Sequence, residues 1–220
     1  MLTVLQNYQD VFWQGTWETI YMTGLSTLFA YLIGLPLGVL LFISQAEGIS
    51  PSKPFHLLFG WIVNIGRSIP FTVLLVAVVP FTRLIAGKII GPTAAVVPLV
   101  VAAAPFVARL TESALAEVDP GVLQAAICMG ADKKQIVFQV LLSEAVPALV
   151  RNFSLTCITL LGYSAMAGAV GGGGLGDIAI RYGLHRHEAG VMPITLVLLI
   201  ILVCSIQIGF ARLAGQLDKK

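Results

Sequence analysis

Residues 189–211, AGVMPITLVLLIILVCSIQIGFA, run for 23 positions without an Asp, Glu, Lys or Arg. A helix needs about 20 mostly apolar residues to cross the hydrocarbon core of a bilayer, and this stretch is apolar on every face. Barrel strands would instead show segments of about ten residues with alternating hydrophobicity. In lipid the backbone must satisfy its own hydrogen bonds, which leaves helices. Four further stretches read the same way: 20–43, 55–82 interrupted once by Arg67, 89–108, and 147–170 with Arg151 near its start. Pro36, Pro70, Pro80, Pro98 and Pro105 fall inside these stretches. Such prolines are tolerated in membrane helices and kink several of them.

The fold class is therefore all-α, a polytopic membrane protein with five transmembrane helices. Composition points the same way: of 220 residues 57% are hydrophobic and 11% charged, whereas soluble domains carry roughly 25% charged residues. That balance excludes an ordinary cytosolic enzyme, a disordered chain and a secreted disulfide scaffold. A net charge of +2 is too small to suggest nucleic acid. Cys128, Cys157 and Cys204 lie far apart in apolar or helical surroundings, so no disulfide or zinc framework is indicated.

Orientation follows from Lys and Arg in the short loops. Alternate sides carry eight and four basic residues, with Arg67 left inside a span. The side with eight belongs in the cytoplasm, which puts the N-terminus outside, the C-terminus inside, and the long loop 109–146 in the cytoplasm. Residues 1–16 lack the basic n-region of a cleavable signal peptide and read as an extracytoplasmic or interfacial segment. Trp13, Trp17 and Tyr21 suit such an anchor. Residues 213–220 read as a cytoplasmic tail.

The long loop holds nine of the 24 charged residues if Arg109 and Arg151 at its margins are included, and it alone shows internal helical design. Asp119 and Pro120 supply an N-cap and a first-position proline, with Gly121 next. Val122, Ala125, Ala126 and Met129 follow at i, i+3, i+4 and i+7, a narrow apolar stripe. Gly130 ends the piece as a left-handed cap does, and Asp132 can cap a second helix. The product is a helix of about 10 residues, roughly 15 Å long, with small alanines on show. Either it rests on headgroups or its own bundle, or it offers a surface for close approach by another protein.

The residues then carry a resemblance. Gln124-Ala125-Ala126, three residues, Gly130, nine residues, and Val140-Leu141-Leu142 resemble the E-A-A-x3-G-x9-I-x-L-P loop of bacterial ABC importer permeases. In that family the loop is the coupling helix, which docks into a cleft of the cytoplasmic ATPase. Gln124 replaces the glutamate and Ser143 stands where proline is usual, while the alanine pair and Gly130 are kept. Arg67-Ser68-Ile69-Pro70-Phe71 looks like the R-x-x-P element of amino-acid importer permeases. Ala104-Pro105-Phe106-Val107-Ala108-Arg109 and the run from Gly162 through Tyr163, Ser164, Met166 and Val170 into Gly171–Gly174 are similar to the methionine-importer permease subfamily. These matches cover about residues 17–212.

The resemblance implies the ABC type I importer permease fold, a multi-pass protein of the bacterial inner membrane, and a homodimer, since five helices are few to enclose a path. It implies two cytoplasmic ATPase subunits and an extracytoplasmic solute-binding protein as partners. ATP and magnesium would then be bound by the ATPase, and this chain would need no cofactor or metal and perform no catalysis. It also implies uptake of methionine or a related amino acid. Another small solute, an ion-gradient transporter and an intramembrane enzyme are the other readings. No Asp or Glu lies in a span to carry protons, and no nucleophile is paired with a base.

Other features need weighing. Gly171, Gly173 and Gly176 satisfy G-x-G-x-x-G, but that fingerprint requires a strand before it and a βαβ unit around it. Here it follows a membrane helix and reads as a flexible, tightly turning segment outside the membrane. His187-Glu188 begins H-E-x-x-H, yet position 191 is valine, so no zinc pair forms. Arg67, the charge near the middle of a span, either snorkels or meets a helix-terminal carbonyl, or lines the path with Ser68 and Pro70. Tyr163, Ser164 and Met166 sit mid-span among small residues. Packing explains them by default, and the resemblance raises Met166 as a gate. Gly34 and Gly38 form a G-x-x-x-G that reads as helix packing.

Overall fold

The computed structural model describes residues 6–217, which are helical almost throughout. The expectations placed on residues 1–5 and on 218–220, including Lys219 and Lys220, lie outside the described residues. Among the described residues four helices are long and apolar enough to cross a membrane. They are α1 (Gln9–Ile43), α5 (Pro92–Ala116), α7 (Val146–Ala167, continued by a wide turn Gly168–Gly172) and α8 (Val191–Leu217). Helices α2 (Lys53–Ser68) and α3 (Phe71–Ala77) pass the same test only together, as a pair bent by 104°. The short α4 (Val79–Ala86) follows.

That bend corrects the continuous second span read from hydropathy. Ile69 takes φ −81°, ψ 122° and Pro70 φ −58°, ψ 136°, both extended. Proline disfavours helical backbone in the residue before it and offers no N–H. Arg67 thus sits in the last turn of α2, at a helix end beside the bend and still near the middle of the α2–α3 pair. Pro36, Pro98 and Pro105 remain inside continuous helices.

Helix α1 also departs from expectation. At 35 residues it is about 52 Å long, against about 30 Å of hydrocarbon. It absorbs residues 9–16, half of the segment expected to lie apart at the N-terminus. Asp10, Gln14 and Glu18 do not end it, because beyond the hydrocarbon core a polar face costs nothing. Trp13 and Trp17 project outward and exposed, as interfacial anchors do.

The inner face of α1 is a stripe of small and hydroxylated residues: Thr19, Thr23, Ser26, Thr27, Ala30, Gly34 and Gly38. Its outer face shows Leu28, Phe29, Leu32 and Ile33. Apolar surface gains nothing by hiding from lipid, so bulk goes outside and small residues let backbones meet. A Cβ at Gly34 would stand 2.6 Å from the Ala104 carbonyl oxygen and 2.7 Å from Val107 Cβ; one at Gly38 would strike Ala108 O and sit 2.6 Å from Thr111 Cβ. The G-x-x-x-G is therefore a packing motif, seated on α5. Around α5 the central core gathers Met22, Phe71, Leu99, Val107 and Leu160. Asn152 on α7 donates to Leu110 O on α5 at 2.9 Å, and Gly66 on α2 abuts Pro105.

Gly38→Val must push two backbones apart, and overpacking of this kind costs about 1–3 kcal/mol. Gly24 has open space around it, so Gly24→Ala should be neutral or stabilising by up to about 1 kcal/mol. Thermal unfolding of the detergent-solubilised protein compares the two; equal melting temperatures would contradict the α1–α5 contact.

Candidate functional site

Two places carry the residues singled out above: the helix inside the long loop, and the ground between Pro70 and α7. The loop begins later than its charges suggest. Helix α5 continues past Arg109 to Ala116, because those charges are satisfied in place. Arg109 Nη1 donates to Glu112 Oε2 at 2.5 Å, and its Nη2 donates to Asn64 Oδ1 on α2 at 2.9 Å. Gln45, just after α1, donates to Glu112 Oε1 at 3.0 Å. Glu112 is buried, and the four side chains join three segments where the membrane part of the bundle ends.

Helix α6 (Pro120–Cys128) follows. Asp119 Oδ1 accepts from Gly121 N at 2.7 Å, which satisfies one orphan donor of the first turn. At the other end Gly130 takes φ +82°, and Ala131 N donates to Ala126 O at 3.1 Å. A left-handed residue there lets the chain reverse and satisfy terminal carbonyls. Asp132 then forms a full capping box with Gln135, by bonds of 2.7 and 2.9 Å. Residues 133–144 continue as helix with a wide π turn over Ile136–Leu141.

Helix α6 is seated on that turn by one face only. Leu123, half-buried, packs against a cluster of Val39, Leu115, Ile136, Val137 and Leu141, and Ala126 on the same side of the helix is buried. The expected stripe is split. Ala126 faces the bundle, whereas Val122, Ala125 and Met129 face out, with Met129 82% exposed. Gln124 and Ile127 lie outward too. An apolar surface thus stands exposed on a helix of nine residues, too short to span a bilayer.

At the second place Tyr163 stacks on Phe71, rings parallel within 1° and centroids 4.6 Å apart. The aromatic contact fixes α7 to the residue that restarts the chain after Pro70. Arg67, Ser68 and Pro70 are exposed at the bend, and Ser68 Oγ donates back to Asn64 O at 2.8 Å. Met166 is 51% exposed, on the same face as Gly162, around which there is open space. Ser164 points the other way; it is buried and donates to Leu161 O at 2.8 Å, as a packing residue does. Between α3–α4 and the end of α7 lies an apolar hollow of about 280 Å³ lined by Leu75, Val79, Thr82, Ala167 and Val170 among others.

The glycine run at the other end of the bundle is clamped, not loose. Glu18 Oε2 accepts from Gly174 N at 2.8 Å and Thr19 Oγ1 from Leu175 N at 2.9 Å. Gly171, Gly173 and Gly174 all have φ near +80–90°, and a Cβ on Gly168 would meet the Asp177 backbone at 2.5 Å. The expected turn is present, but its glycines serve close packing. Nearby, Tyr8 donates to Glu188 Oε1 at 3.2 Å. Burial, and then the Glu188 carboxylate, hold the Tyr8 phenol above its ordinary value.

Residues 34–219 match the family described as binding-protein-dependent transport system inner membrane component. The chain belongs to that family. A probable D-methionine transport system permease protein MetI of Vibrio cholerae is 51% identical over 211 residues, covering 96% of this chain and 94% of the relative. The D-methionine transport system permease protein MetI of Escherichia coli K12 is 51% identical over 155 residues, 70% of this chain and 71% of that one. A solved structure of inward-facing conformations of the MetNI methionine ABC transporter superposes with a TM-score of 0.95 at 48% identity, over 97% of this chain and 99% of the other. This inner-membrane component therefore has the ABC type I importer permease fold.

Sequence reading missed the Gln45–Glu112–Arg109–Asn64 group. Its one available sign was the i, i+3 spacing of Arg109 and Glu112 beside an apolar stretch. Glu112→Ala would leave Arg109 Nη1 and Gln45 without their acceptor, at a cost of about 1–3 kcal/mol. Glu112→Gln, which keeps an oxygen in place, should cost less. Melting temperatures in detergent give the order, and an unshifted Glu112→Ala would show that the group holds nothing together.

Proposed function

We propose that this chain is the membrane-spanning permease of an ATP-driven importer for methionine, working as a homodimer with two cytoplasmic ATPase subunits and an extracytoplasmic binding protein. The observation that carries the reading is α6: a capped helix set by Ala126 on the bundle, with Ala125, Ile127 and Met129 turned outward. A rigid seat and an apolar outward face are what a mechanical contact needs. Force applied there passes through the cluster around Leu115 and Leu141 into α5 and α1. Methionine is favoured by the names of relatives about half identical to this chain. The eight-against-four distribution of basic residues favours α6 on the cytoplasmic side.

In this reading ATP binding closes the ATPase pair and the docked helices move the spans, alternating access to a path along the dimer axis. ATP and magnesium act on the ATPase, and the permease makes and breaks no covalent bond. Arg67, Ser68 and Pro70 at the bend, with Tyr163 stacked behind it, border that path. Met166, half exposed on α7, is the gate. The differential affinity of the ATPase for two arrangements of α6 supplies the shift, since a partner can move an equilibrium only by that difference.

Gly130→Arg tests the contact. A residue with a Cβ is strained at φ +82°, yet the surroundings are open, so the protein should insert normally and lose the co-purifying ATPase. Normal uptake by that variant would defeat the assignment. Met166→Ala should change transport or basal ATPase rate with the subunits still bound; unchanged kinetics remove it from the gate. Uptake of labelled methionine, competed by other amino acids and small anions, should be blocked by methionine alone at low concentration.

A further inference from the structure

On the flank of α1 lies a groove that the transport reading leaves unused. Its volume is about 450 Å³, within the range of small-molecule sites. One wall is the last turns of α1, with Val39 and Leu40, and the other is the π turn, with Val137 and Phe138. Phe138 is 68% exposed and Leu40 44%, so a large apolar surface stands open. At the mouth are Lys133, Lys134 and Ser50, and Lys133 Nζ donates to Ser50 Oγ at 3.4 Å. No acidic side chain lines the groove among the described residues. The nearest carboxylate in sequence, Asp132, is directed at Gln135 N by its cap.

From these features we infer that the groove holds an anionic phospholipid, its acyl chain against Val39, Leu40 and Phe138 and its phosphate between the two lysines. One wall is the last turns of a span and the other an apolar turn beside it, so the occupant must be apolar along that length. The two ammonium groups mark where that length ends and select a negative headgroup; basic pockets beside membrane helices bind such lipids. A free phosphate satisfies the lysines but leaves the apolar walls uncovered. A zwitterionic lipid covers the walls but brings no net charge to the lysines. The wide π turn widens the groove, and such turns recur at functional sites. A lipid seated there bridges α1 and the segment that carries α6. The inference does not depend on which solute is transported.

Native mass spectrometry of the full chain in detergent, incubated with phosphatidylglycerol or phosphatidylcholine, tests it. Each basic residue near the surface contributes on the order of a fivefold preference for anionic lipid, so the two together give about thirtyfold. Phosphatidylglycerol should therefore be retained about thirtyfold better. Lys133→Gln with Lys134→Gln should bring the two lipids near parity, while Lys133→Arg with Lys134→Arg keeps the preference. Leu40→Trp, which fills the groove, should lower retention of both. Equal retention by the unaltered protein, a preference that survives the double glutamine variant, or displacement of the lipid by millimolar inorganic phosphate alone would each overturn the site.

Discussion

The backbone approach between α1 and α5 is the constraint on which the rest of the molecule hangs. Gly34 and Gly38 let the Ala104 and Ala108 carbonyls come within a distance that no side chain permits. In lipid there is no hydrophobic gain from hiding leucines, so close packing and side-chain hydrogen bonds must hold helices together. That accounts for the inverted look of α1, with threonines, serine and glycines inside and leucine and phenylalanine outside. Thr19 and Thr27 donate to carbonyls one turn back within α1 at 2.8 and 2.7 Å, whereas the buried hydroxyls of Thr23 and Ser26 in the same stripe have no hydrogen-bond partner among the described residues. Once α1 and α5 are joined, α2 rests Gly66 on Pro105, α7 reaches Leu110 through Asn152, and Phe71 falls against Tyr163.

The two ends of this bundle are built differently, as a transport subunit needs. At one end Glu18 and Thr19 bind the backbone of the glycine run, so that the turn after α7 is held to α1 by two hydrogen bonds. At the other, Glu112 collects Arg109 and Gln45, and Arg109 also holds Asn64. A buried carboxylate with two donors has its charge compensated and hydrogen-bonded, the condition under which such a group is tolerated. Helix α6 then stands beyond that polar group, against an apolar cluster to which α1 contributes Val39 and α5 contributes Leu115.

Much of this was legible from residue order. The apolar stretches located every span, the Gly34/Gly38 spacing announced packing, and Asp119, Pro120 and Gly130 marked both ends of α6. What could not be read was direction and continuity. Hydropathy cannot distinguish a straight helix from one bent 104° at Ile69–Pro70, because it reports what side chains prefer and not where the backbone turns. A heptad-like spacing placed Ala125 and Ala126 together, and only the π turn beneath α6 turned one inward and left the other outside. Ser164 and Met166 are two residues apart with the same neighbours in sequence, yet one is buried and the other half exposed. The glycine run read as loose because its partners, Glu18 and Thr19, lie more than 150 positions away.

The division between the two kinds of information has a physical cause. Transfer of apolar side chains into lipid and the local capping of helix ends depend on a residue and a few neighbours, so sequence alone determined the spans, the caps and the membrane class. Contacts between helices depend on which faces meet, and in lipid that choice rests on close packing of small residues and a few buried hydrogen bonds. Only the tertiary structure decided that Glu112 would gather Arg109 and Gln45, that Tyr163 would stack on Phe71, and that Ala126 would seat α6 while Met129 looked outward.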